Sequence, residues 1–125
     1  MKVKQTERGW AGHFICADRC LFRRNTLLEY KGIEIVVSTV GLMKTLDRKE
    51  YDTIGYNRYY ETMAFHADKQ DTRYHDIDVS KEISFESNRS IDKIDADDEA
   101  NVMHDNVVSE FTSKLYSGER FELDG

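Results

Sequence analysis

The chain has 125 residues and no proline. That absence is unusual but excludes no particular fold. Cysteine is nearly missing too, with only Cys16 and Cys20 present. The N-terminal stretch MKVKQTERGW is basic but lacks the apolar core of a secretory signal. Together these features predict a reducing, cytoplasmic setting with free thiols and no disulfide. No apolar run approaches the length needed to cross a bilayer, which argues against a membrane-spanning helix. Gly-rich phosphate loops, a nucleophile elbow and an HExxH pair are all missing, so no catalytic motif suggests an enzyme. The acidic run Asp92, Asp95, Asp97, Asp98, Glu99 lacks the spacing and central glycine of a calcium-binding EF-hand loop.

What remains describes one domain spanning 1–125, with 39% apolar and 34% charged residues. The net charge of -6 is unevenly placed. Residues 1–60 carry 11 basic and 7 acidic side chains, net +4, whereas residues 61–125 carry 7 basic and 17 acidic, net -10. Opposite charges can meet when the two halves pack, or the acidic half can meet an external basic partner.

Residues 1–8 read as a loose lead-in. Three strands are then expected at Gly12–Cys16, Leu21–Tyr30 and Ile33–Val40, the last two joined by a tight turn at Lys31-Gly32. That turn dictates a register. Tyr30 faces Ile33, Leu28 faces Ile35 and Thr26 faces Val37, all on one side of the sheet, with Arg24 and Thr39 next in line. The opposite side pairs Leu27 with Val36 and Asn25 with Ser38, and sets Glu29 against Glu34. Residues 44–51 suit either a short helix or a structured loop. Arg58–Ala67 and Tyr74–Glu86 read as strands four and five, the latter apolar on one face at Ile77, Val79, Ile83 and Phe85. After a polar connection, Asp97 or Asp98 is expected to cap a helix over 97–117, with Gly118 as its stop. Its stripe is Ala100, Met103, Val107, Phe111 and Leu115. The predicted fold is α+β: a largely antiparallel sheet of about five strands with one C-terminal helix packed on a face.

Four residue groups are candidates for function. His13, Cys16 and Cys20 offer imidazole and thiolate, the ligands zinc prefers, and a fourth ligand would have to come from His66, His75 or His104. Buried thiols beside an ordinary histidine explain the same residues. Arg24 falls on an apolar face, where a guanidinium needs a carboxylate such as Glu61 or an acid near the helix start. Alternatively Arg23, Arg24 and Asn25 bind a phosphate or an acidic protein surface. Those arginines with Tyr60 and neighbouring tyrosines could also stack on bases beside backbone phosphates, against the repulsion of the acidic half. Finally, Asp76, Asp78 and Glu82 form an acidic strand face suited to a protein partner with a basic surface.

The segments RGWAGHFICADRCLFRRNTLL, RYYETMAFHA and EISFES resemble those of small uncharacterised proteins of bacteria, prophages and phages. The resemblance carries no activity and no site residue. It implies an accessory role in a bacterial or phage cytoplasm, such as blocking a host nucleic-acid-acting or defence enzyme.

Overall fold

Alternation and a two-residue turn build the centre of the molecule. In the computed structural model, Cys20–Tyr30 and Ile33–Met43 form an antiparallel hairpin with Tyr30 opposite Ile33, Leu28 opposite Ile35 and Arg24 opposite Thr39. This is the register expected from the alternating pattern. Lys31 (φ 49°) and Gly32 (φ 81°) both adopt positive φ, the conformation that matches a tight turn to the twist of its strands. The residues described are 2–7, 20–47, 49–54, 58–67, 77–83 and 88–118, and in 77–83 only Ile83 is described beyond the backbone.

The elements in chain order are β1 (Lys4–Glu7), β2 (Cys20–Tyr30), β3 (Ile33–Met43), β4 (Tyr60–Ala67), β5 (Ile77–Ile83), β6 (Arg89–Ile91) and α1 (Asp97–Ser117). The sheet runs β1-β2-β3-β4-β5 with antiparallel pairing throughout. Short β6 pairs with Tyr60–Thr62, while β5 pairs with Ala64–Ala67, so the two share the outer side of β4 end to end. The α+β architecture matches the one predicted.

Two local expectations need correction, and a third is decided between its alternatives. Residues 4–7 are not part of a loose lead-in: they pair along β2, Lys4 with Glu29 through Glu7 with Thr26. The sequence KQTE has no apolar signature because it forms a mostly exposed edge strand. The described residues of 44–51 take the structured-loop alternative. Lys44 bridges Tyr51, Thr45 N–H donates to the Glu50 carbonyl at 2.9 Å, and the Asp47 carboxylate accepts from Lys49 N–H at 3.0 Å. Neither Asp97 nor Asp98 caps α1. Ala96 holds that position without a side-chain bond, while Asp97, Asp98 and Glu99 occupy the first turn, where the helix dipole favours acids. Gly118 does end the helix, in the left-handed conformation. The strand expected at residues 12–16 lies outside the described residues.

α1 covers one face of the sheet through two apolar contacts. Towards its C-terminus, Val107, Val108, Phe111 and Leu115 pack on Leu28, Ile35, Val37, Ala64 and Ile83. Towards its N-terminus, Ala100 meets Leu42 and Tyr60. Each large side chain buried this way contributes about 1.5–3 kcal/mol. Between the two contacts lies a polar notch.

Candidate functional site

The notch is assembled by register. On the helix-facing side, Thr26 of β2, Thr39 of β3 and Thr62 of β4 are adjacent across three strands, all fully buried. α1 sets His104 above them, one helical turn from Ala100 and from Val107 and Val108. His104 Nε2 lies 2.7 Å from Thr26 Oγ1, and Nδ1 lies 2.7 Å from Thr39 Oγ1. Thr39 and Thr62 hydroxyls are 2.6 Å apart. Thr26 Oγ1 donates to Glu7 Oε2, bringing β1 into the same file of hydrogen bonds.

At the surface end sits Arg24. Its Nε donates to Glu7 Oε1 at 2.7 Å, and its NH1 reaches Asp105 Oδ1 at 2.8 Å and Asn101 Oδ1 at 3.3 Å. The charge that alternation places on an apolar face is therefore answered within the chain, by carboxylates from β1 and α1. Glu61, the partner considered from sequence, instead pairs with Arg58 at 3.1 Å. The Arg24 side chain is 23% exposed, against 50% for Glu7 and 59% for Asp105, so the cluster opens to solvent while its inner end is dry.

These surroundings set the charge states. Burial pushes His104 down to about 4, and the nearby Arg24 cation adds to the effect, with Glu7 and Asp105 opposing it. The imidazole is thus neutral at physiological pH. Burial alone would raise Glu7, but hydrogen bonds from Thr26 and Arg24 and the Arg24 charge outweigh it and hold the carboxyl below its usual range. The hydrogens can then be assigned from the network. An ionised Glu7 only accepts, so the Thr26 hydrogen goes to it, and Thr26 accepts from His104 Nε2–H. Bare Nδ1 accepts from Thr39, which in turn accepts from Thr62. Each buried polar atom of this network has its partner, as burial demands.

A second polar fixture anchors the start of α1. The Tyr60 hydroxyl donates to Asp97 Oδ1 at 2.6 Å and accepts from Ala96 N–H at 3.0 Å. Burial, then donation to Asp97, raises its pKa. Its ring lies over Gly41, where a Cβ would collide with it, and meets Phe22 edge-on at 5.7 Å.

The residues singled out by sequence are dispersed. Arg24 faces the helix, whereas Arg23 and the fully buried Asn25 point to the opposite face, so the three form no common anion site. Tyr60 is fully buried and offers no stacking face to a base. Cys20 is buried with Val40, Met43 and Ile54. His13 and Cys16, the other members of the zinc set, lie outside the described residues, as does Asp76. Asp78 and Glu82 belong to β5, with Glu82 in register opposite Phe65. Sequence reasoning overlooked Glu7, Thr39, Thr62 and the place of His104 within the apolar stripe. The spacing Ala100, His104, Val107, Phe111 carried that last signal.

Solvent-exposed acids gather where β6 leads into α1. Asp92, Asp95, Asp97, Asp98 and Glu99 are exposed there, with Lys93 paired to Glu99 at 2.6 Å. Asp95, Asp97, Asp98 and Glu99 line an open recess of about 390 Å³. Ile94 and Val102, close to these acids in the chain, are exposed as well. Among the described residues no helix is long and apolar enough to cross a membrane. The chain matches no protein-family model, no curated protein and no solved structure with which it was compared.

Proposed function

We propose that the protein is a non-enzymatic interaction module whose acidic edge docks on a basic surface of a protein partner. The observation that carries this reading is the crowding of five exposed carboxylates into residues 92–99 beside exposed Ile94 and Val102. Rim charges steer a complementary partner, and apolar side chains among them supply the area to bury. β5, whose sequence includes Asp78 and Glu82, pairs along the same side of β4 as β6, which supports reading the acidic edge as continuing along the sheet. The likeness to phage and prophage proteins favours a nucleic-acid-acting or defence enzyme as the partner, since such enzymes carry basic grooves for phosphate.

Two variants test this reading. One is the triple neutralisation Asp92→Asn, Asp95→Asn, Asp98→Asn, in which asparagine tolerates the positive φ of Asp95 (55°). The other reverses Asp78 and Glu82 to lysine. Quantified affinity capture from bacterial lysate should show a discrete protein retained by the parent chain and depleted with both variants at unchanged melting temperature. Equal retention by the parent and both variants overturns the proposal.

A further inference from the structure

We propose that Glu7, Thr26, His104, Thr39 and Thr62 form a polarity relay, in which the charge state of the half-exposed Glu7 carboxylate selects which ring nitrogen of His104 carries hydrogen. The argument begins with valence. Thr26 and Thr39 each have one hydrogen to give, and the neutral imidazole has one N–H and one bare nitrogen. The members touch in a single file from β1 through β2 and α1 to β3 and β4. No member can reverse its donor role unless the next one reverses too or a buried hydroxyl hydrogen loses its acceptor.

With Glu7 ionised, Thr26 donates outward and the Nε2–H form results. The opposite form would aim Thr26 oxygen lone pairs at a carboxylate oxygen, leaving an unpaired acceptor in a dry site. When Glu7 is neutral beside a neutral imidazole, its Oε2 becomes the donor. Thr26 then turns its hydrogen to Nε2, the imidazole holds hydrogen on Nδ1, Nδ1–H donates to Thr39, and Thr39 donates to Thr62. The protein gains one proton, at Glu7 Oε2. The imidazole hydrogen changes nitrogen, and the hydroxyls only reorient. A change at the sheet's edge on β1 is thereby expressed as far inward as β4, without movement of a backbone atom.

Among the described residues, the charged groups facing His104 are Glu7 from β1, Arg24 from β2 and Asp105 from its own helix, while β3 and β4 present the uncharged Thr39 and Thr62. Arg24 makes the relay testable at neutral pH. Its Nε can only donate, and it faces Glu7 Oε1. In Glu7→Gln the amide oxygen must therefore turn to Arg24, which places the amide NH2 against Thr26. That substitution reproduces the neutral, donating state of Glu7 without acid.

The experiment is two-bond 1H–15N correlation of the His104 ring in 15N-labelled protein at pH 7. The parent chain should show the Nε2–H form, and Glu7→Gln should show the Nδ1–H form. Thr26→Val breaks the file, so adding Glu7→Gln to it should leave the ring's tautomer as it is in Thr26→Val alone. A parent chain in the Nδ1–H form overturns the relay, whatever the variants do. So does a folded Glu7→Gln variant that keeps Nε2–H, or one whose effect survives Thr26→Val.

Discussion

Acid should unlatch α1 through His104 before it attacks the carboxylates. The unfolded chain accepts a proton on this imidazole near its ordinary value of 6.5, while the folded site refuses it until about 4. Between those values the unfolded state binds the extra proton, so stability rises with pH. The contribution is complete above 6.5, declines as pH falls towards 4, and changes no further below that. Each pH step of 1 across this window is worth about 1.4 kcal/mol, so the fall from 6.5 to about 4 removes about 3 kcal/mol. For a domain whose whole stability is about 5–15 kcal/mol, that is a large fraction. Urea unfolding at half-unit pH steps, monitored by far-ultraviolet circular dichroism, should show this decline in the parent chain. The variant His104→Gln starts less stable, because the threonine hydroxyls fit it poorly, but its curve should be flatter by the same amount. His13, His66 and His75 are common to both proteins, so the difference between the two curves isolates His104. Parallel curves from pH 6.5 to 4 would refute the reasoning. Below 4.5 a further loss belongs to Glu7. Its folded value lies under 4.5, so its contribution is present above that pH and disappears as pH drops through the folded value.

Two further outcomes concern the frame around the site. Gly41→Ala should destabilise the protein by about 1–3 kcal/mol, because its Cβ would collide with the Tyr60 ring and must displace it from Asp97; thermal unfolding at an unchanged midpoint would contradict this packing. Lys31→Asn should stabilise the hairpin by about 0.5–1 kcal/mol, since asparagine accepts positive φ more readily than lysine; a fall in the urea midpoint would count against the turn geometry.

The parts of this fold that could be read in advance are those whose causes are local. The β2–β3 register follows from a two-residue turn and strict alternation, and alternation alone put Arg24 on the helix-facing side. It also separates Arg24 from Arg23 and Asn25, a parity that grouping them as one binding set ignored. β1 was invisible because an exposed edge strand needs no apolar pattern, and the hydrogen bonds that define it come from β2. Glu7 disappeared with it. His104 stands in an apolar stripe as its one polar member, and no local rule tells a helix residue that three threonines wait opposite. Those threonines come from three strands, so their convergence is a property of the assembled sheet. The acidic connection, by contrast, was legible as composition, and the structure adds its exposure and its place beside β6.

The threonine notch also decides where along its own axis the helix can stop. Apolar contacts on either side of it are permissive: Val107, Val108, Phe111 and Leu115 would find grease under them at several offsets. A slide of one turn, about 5.4 Å, changes what stands over Thr26, Thr39 and Thr62. It brings Ala100 or Val108 there and drives His104 into an oily neighbourhood, stranding hydroxyls and an imidazole without partners at about 1–3 kcal/mol apiece. Three threonines and one histidine therefore act as a key and keyway, sacrificing some grease to leave the helix a single seat. Because α1 follows the six described strands along the chain, the keyway is cut before the key arrives, and the helix finds its alignment already prescribed.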